Sequence, residues 1–126
     1  MVIFILLAML FCHVIDDFYL QGILASMKQK MWWRKQEQYK EKYKYDYIPA
    51  LIIHAFSWVF MIMLPITIYL KFNLGLLYLA SPINLIIHAV VDDLKANKLK
   101  INLVVDQSIH ICQILIVWAL FYIFYF

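Results

Sequence analysis

Four apolar runs, each long enough for a helix to cross a bilayer, take up most of this 126-residue chain. They extend from Met1 to about Met27, from Tyr47 to Leu70, from Leu74 to Leu94 and from Ile101 to Phe126. A helical crossing needs about 20 mostly apolar residues, so there is room for four crossings and one sizeable loop, but not for a separate soluble domain. With 66% hydrophobic and 15% charged residues, the chain falls well short of the roughly one-quarter charged composition of a soluble domain. Intrinsic disorder, which needs low hydrophobicity, is excluded on the same ground. Two cysteines cannot supply a disulfide scaffold. The expected fold is therefore all-α: an integral membrane four-helix bundle forming a single transmembrane domain over residues 1–126. The first run lacks the basic n-region and small-residue cleavage site of a signal peptide, so it is read as a transmembrane helix.

Orientation follows from the basic residues, which stay on the cytoplasmic side near membrane ends. The connections that begin at Lys28 and at Lys95 hold ten of the eleven, and the middle connection holds only Lys71. Loops 28–46 and 95–100 are expected to be cytoplasmic, both termini non-cytoplasmic, and the location a multi-pass inner cell membrane. The first of these loops interleaves Trp32, Trp33, Tyr39, Tyr43 and Tyr45 with its lysines, a composition suited to anionic lipid headgroups at the interface. Nucleic acid, which also takes basic residues with aromatics, is disfavoured, because a juxtamembrane position already accounts for the charge. A homo-oligomer is left open.

The polar residues inside the apolar runs carry the functional information. A charge at the centre of a membrane helix costs about 2.5 to 3.5 kcal/mol even on the lenient insertion scale. Yet five of the eight acids lie in these runs (Asp16, Asp17, Asp92, Asp93 and Asp106), together with all four histidines, one per helix: His13, His54, His88 and His110. Each histidine is seven to ten residues from the expected cytoplasmic end of its helix. At about 1.5 Å per residue, the four share one layer roughly 10 to 15 Å deep. The pairs His13/Asp17, His88/Asp92 and Asp106/His110 are each four apart, so each shares a helix face. The reversed order in the last helix, which runs antiparallel to the third, puts all three aspartates one turn nearer the cytoplasm.

Imidazole and carboxylate are ligands of transition metals, and helical bundles build metal sites from such inward pairs. His13, Asp17, His54, His88, Asp92, Asp106 and His110 suffice for one or two ions of Zn, Mn or Fe. Some carboxylates would orient imidazoles rather than touch metal. Asp16 and Asp93 point about 100° away from their neighbours and are candidates to take a proton from water. Gln21, Asn84, Gln107 and Gln113 lie on or near the polar faces and are expected to bridge helices, with Gln21, Gln107 and Lys95 also candidates for substrate contact.

His13-Val-Ile-Asp-Asp-Phe-Tyr-Leu-Gln21, the lone His54, His88-Ala-Val-Val-Asp-Asp-Leu-Lys95 and Asp106-Gln-Ser-Ile-His110, in that order and spacing, resemble the small bacterial and phage membrane family catalogued as domain of unknown function thirty-three oh seven. A more distant similarity is to membrane-bound metal-dependent hydrolases, an analogy at the level of fold. The resemblance implies functional residues at His13, Asp17, Gln21, His54, His88, Asp92, Lys95, Asp106, Gln107 and His110. The expected function is metal-dependent hydrolysis, with the phosphate ester of a lipid or nucleotide as substrate because Lys95, Lys98 and Lys100 flank the entrance. The alternatives are a small proton- or cation-handling transporter or channel, and a membrane effector or assembly factor that recruits a partner through its basic loop. A transporter requires polar residues toward the outer face, and Met1 to Phe11 and Leu115 to Phe126 are almost wholly apolar.

Overall fold

The computed structural model describes residues 1–36 and 41–126, so Tyr39 of the basic loop lies outside the described residues. The chain forms helix α1 (Val2–Ile15), a π-helical turn (Asp16–Leu20), short helices α2 (Leu24–Met27) and α3 (Lys30–Arg34), then α4 (Tyr47–Tyr69), a 3-10 segment (Gly75–Leu79), α5 (Ala80–Ala96) and α6 (Leu103–Tyr125). Four segments, Val2–Leu20, Tyr47–Tyr69, Gly75–Ala96 and Leu103–Tyr125, are long and apolar enough to cross a membrane. Among the described residues there is no strand, and the fold is all-α.

Local chemistry sets the breaks. The first apolar run, expected to continue as a helix to Met27, leaves its axis at Gln21 because Gly22 takes a left-handed φ of 49°, a conformation that glycine adopts without steric cost. Pro82 falls in the first turn of α5, where a missing N–H is tolerated. Pro65 sits within α4, which continues to Tyr69. Asn102 caps α6 by accepting the Val105 N–H at 2.9 Å. Asn102→Ala is expected to cost about 1 kcal/mol, measurable as a lowered unfolding temperature in detergent.

In the bundle, α1 and α5 each pack against both α4 and α6. Ala50 and Ala55 on α4 are buried, and such small residues let membrane helices approach closely where no hydrophobic drive separates helix from lipid. Large apolar side chains such as Phe4, Leu7, Phe60, Ile86 and Ile123 stand exposed on the outside, the surface a lipid solvent would cover.

Along its axis the bundle is layered. Ile5, Met9, Val59, Ile62, Ile66, Val117 and Phe121 fill one half with a closed apolar core, capped toward the middle by Trp58. The four histidines come next, followed by the buried aspartates and then Lys28 and Lys95. Asn97, just past α5, ties the α2–α3 turn to this polar end. It donates to Lys28 O (3.0 Å) and Asp93 Oδ1 (2.9 Å) and accepts the Lys30 N–H at 2.7 Å.

Candidate metal centre

Each spanning helix delivers one imidazole to the middle of the bundle, and His13, His54, His88 and His110 are all buried. The imidazoles do not have equal roles. Trp58 Nε1 can only donate, and it does so to His13 Nδ1 at 2.8 Å, which leaves the His13 proton on Nε2, facing Gln107 Oε1 at 3.1 Å. Both nitrogens of His13 are thus committed to protein partners. Although sequence spacing made His13 a candidate ligand, it has no lone pair left for a metal and instead anchors the floor of the site.

The other three converge. His54 Nε2 and His88 Nε2 are 3.2 Å apart. Asp92 Oδ2 lies 3.3 Å from the first and 3.9 Å from the second. The circle through these three atoms has a radius of about 2.0 Å, the length of a Zn–N or Zn–O bond. Asp17 Oδ1 stands a further 3.3 Å from His54 Nε2, while Asp92 Oδ1 and Asp106 Oδ1 stand 3.6 and 3.4 Å from His110 Nε2. The groups Asp17/His54/His88 and His88/Asp92/His110 could each hold a metal ion.

Outer contacts fix these groups. Ser57 Oγ donates to Asp16 Oδ1, and Asp16 Oδ2 lies 3.8 Å from His54 Nδ1, behind the ring and away from His54 Nε2. Gln107 Nε2 donates to Asp17 Oδ2 (3.0 Å) and Asp106 Oδ2 (3.1 Å), joining α6 to the π-helical turn. Gln113 Nε2 donates to Asn84 O and Oδ1 at 3.2 and 3.0 Å, bridging α5 and α6, and its Oε1 faces His110 Nδ1 at 3.2 Å. His88 stacks between Trp58 and His110, with centroids at 4.2 and 4.1 Å. Asp16 Oδ2, His88 Nδ1, Asp106 Oδ1 and His110 Nε2 are buried without a hydrogen bond, and buried polar atoms of that kind are rare in folded proteins.

Two lysines complete the polar end. Lys28 Nζ meets Asp92 Oδ2 at 2.6 Å, and Lys95 Nζ meets Asp106 Oδ2 at 2.6 Å. A cavity of about 410 Å³ opens beside them, lined by Asp17, Gln21, Lys28, Asp92 and Lys95. Gln21 bonds back to the Asp17 carbonyl. Lys28, which sequence alone assigned to the basic loop, is buried here and spans 64 positions to reach α5. Its one sequence signal is that it is the first cation after the α1 run.

Asp93 departs from its sequence assignment as a proton acceptor. It binds Asn97 and Lys98 (3.3 Å) at the rim and faces away from the imidazoles. Asp16 also departs from that role, since it sits behind His54 instead of at the cavity. Trp58, Ser57 and Asn97 belong to the site and carry no motif that marks them.

The chamber is therefore a one-ended, buried cluster of imidazole and carboxylate groups that could hold metal. Buried carboxylates at Asp16, Asp17, Asp92 and Asp106 would cost on the order of 10 kcal/mol on the membrane-insertion scale, whereas interhelical hydrogen bonds return about 0.6 kcal/mol each. Lys28 and Lys95 offset that cost at Asp92 and Asp106, and Asp16 and Asp17 have no lysine partner among the described residues. A family model described as "Protein of unknown function (DUF3307)" matches residues 5–125. No curated protein and no solved structure matches the chain.

Proposed function

The chain belongs to the DUF3307 family, and we propose that it is a membrane metalloenzyme that hydrolyses a phosphate ester within its polar end. The observation that carries this reading is charge. Among the described residues the chamber holds four carboxylates (Asp16, Asp17, Asp92, Asp106) against two ammonium groups (Lys28, Lys95). With the imidazoles neutral, the form in which they bind metal, two negative charges stay uncompensated, the deficit that one divalent cation fills. Zn, Mn or Fe matches the donors. His54 Nε2, His88 Nε2 and Asp92 Oδ2 would hold the ion, and Asp16 would accept the His54 Nδ1 proton.

A metal in this position supplies Lewis-acid polarisation and makes water acidic near neutral pH. The rest falls to the chain. The substrate phosphate enters the cavity between Lys28 and Lys95, whose ammonium N–H groups donate to it, and Gln21 lines the approach. A water oxygen bonds to phosphorus as the ester P–O bond breaks. Asp17, at the cavity wall and held by Gln107, takes the water's proton, and a lysine ammonium gives one to the leaving alkoxide. The apolar core beyond Trp58 keeps the site one-ended, which favours hydrolysis over transport. By the distribution of basic residues, the cavity faces the cytoplasm of the inner membrane. On the same side, Lys30, Trp33, Arg34, Lys44 and Tyr47, with Glu41 the one acid, line a cavity of about 550 Å³, and its basic excess suits the anionic lipid headgroups of the surrounding leaflet.

The test is turnover of a panel of nitrophenyl phosphomonoesters and phosphodiesters by detergent-purified protein. Hydrolysis should vanish with chelator, return with one of Zn, Mn or Fe, and fail in His54→Ala. Metal-loaded protein inert toward the whole panel, or a proteoliposome cation flux abolished by His88→Ala, would overturn the reading. Asp16→Asn should weaken metal binding about 10- to 100-fold, as loss of an outer partner of a metal-bound histidine does. Asp93→Asn should leave binding unchanged; chelator competition measures both.

A further inference from the structure

We infer that the chamber binds two metal ions, with Asp92 bridging them; this rests on the metalloenzyme reading above. The first ion sits among His54, His88 and Asp92 Oδ2. The second set of donors is His110 Nε2, Asp106 Oδ1 and Asp92 Oδ1.

The tautomer of His110 is fixed by a chain of amides. Asn84 Nδ2 donates to Ala80 O at 2.9 Å, so Asn84 Oδ1 is free to accept. It and the Asn84 carbonyl both face the same nitrogen of Gln113, which must therefore be the donor end of that amide. Gln113 Oε1 is left facing His110 Nδ1, and only an N–H at Nδ1 satisfies that contact. His110 Nε2 then presents its lone pair to the two carboxylate oxygens of Asp92 and Asp106. A buried lone pair facing one oxygen of each of two carboxylates is repelled by both unless a cation lies between them.

A doubly protonated His110 is the other way to supply positive charge, and the distances disfavour it. Charge-assisted N–H···O bonds run about 2.7–2.9 Å, whereas His110 Nε2 stands 3.4 Å from Asp106 Oδ1 and 3.6 Å from Asp92 Oδ1. Those are the separations of donors around a shared metal with bonds of about 2.0–2.2 Å. His110 and Asp106 are 0% exposed, and His110 Nε2 and Asp106 Oδ1 are both without a hydrogen bond.

Asp92 is what makes the two sets one centre. Its Oδ2 faces His54 and its Oδ1 faces His110, so one carboxylate gives an oxygen to each side. Such a bridge suits the roughly 3.5–4 Å spacing of two-metal hydrolytic sites, where the pair clamps both attacking and leaving oxygens. The helical spacing supports this: Asp106 and His110 are four residues apart, as are His88 and Asp92, so each helix turns a carboxylate and an imidazole inward together, as the i,i+3 Glu/His pairs of di-metal bundles do. One divalent ion neutralises the chamber, and two leave it with two positive charges, the balance that a phosphate dianion between Lys28 and Lys95 meets.

The experiment is a Zn titration of chelator-stripped protein in detergent, with metal content read after gel filtration. Wild type should take up two ions, Asp106→Asn one, and Asp93→Asn two. One ion in wild type, unchanged in Asp106→Asn, would overturn the second site and leave the single-metal reading standing; none would overturn both. Because buried variants can fail to fold, Mn loading of wild type gives an independent readout. At two equivalents the electron paramagnetic resonance spectrum should be that of an exchange-coupled pair, and an uncoupled six-line spectrum at full occupancy would overturn the inference. Inorganic phosphate should tighten uptake of the second ion at least severalfold; no change would contradict the charge balance above.

Discussion

Asp92→Asn is expected to lower metal affinity more than any other single substitution in the chamber, by well over the roughly 10- to 100-fold that loss of an outer partner costs. Asp92 lies within 4 Å of three imidazoles and of the Lys28 ammonium. Asparagine keeps the size and one acceptor oxygen but removes the charge that attracts an ion. It also leaves Lys28 buried without its counter-ion, and breaking a buried pair typically costs 3–5 kcal/mol (roughly). The variant should therefore show two losses: metal uptake, read by chelator competition, and unfolding temperature in detergent. If metal affinity stays at the wild-type level, Asp92 is not a ligand.

Lys28→Met should produce the second large effect, with an instructive sign. Without metal, the variant leaves Asp92 as an unpaired buried carboxylate, so stability should fall by about 3–5 kcal/mol. With metal, the ion supplies the missing positive charge. A ligand that binds only the folded state adds about 2.7 kcal/mol at 100 times its dissociation constant. Removing a cation that contacts the same carboxylate oxygen should tighten binding and raise that figure. The difference in unfolding temperature between metal-loaded and metal-free protein should therefore be larger in Lys28→Met than in wild type, while phosphoester turnover falls because a contact to the substrate is lost. Equal metal-induced shifts in the two proteins would show that Lys28 and the ion do not share Asp92.

Much of this arrangement could be read from the sequence. The apolar runs gave four spanning segments, and counting along each placed the histidines in one layer. The i,i+4 spacing paired His88 with Asp92 and Asp106 with His110, and the structure brings all four together. What spacing on one helix does not specify is which atoms of neighbouring helices arrive beside it. His13 has the same spacing to Asp17 as His88 has to Asp92, yet Trp58 arrives from α4 and occupies its lone pair. Asp16 and Asp17, expected about 100° apart on an α-helix, fall instead in a π-helical turn. Such widened turns occur often at functional sites, and here both carboxylates reach His54, one on each nitrogen. Lys28 was hidden for a different reason. Its neighbours in sequence are basic and interfacial, and its burial depends on a break at Gly22 and a clamp by Asn97 that leave no periodic signal.

The proposed chemistry turns on whether metal binds between His54, His88 and Asp92. The most direct measurement is an anomalous difference map from crystals of protein loaded with Zn, Mn or Fe, recorded at the absorption edge of that metal. A peak is expected about 2.0–2.2 Å from His54 Nε2, His88 Nε2 and an Asp92 oxygen. Loaded crystals with no peak in the chamber, or with peaks only at its surface, would contradict it.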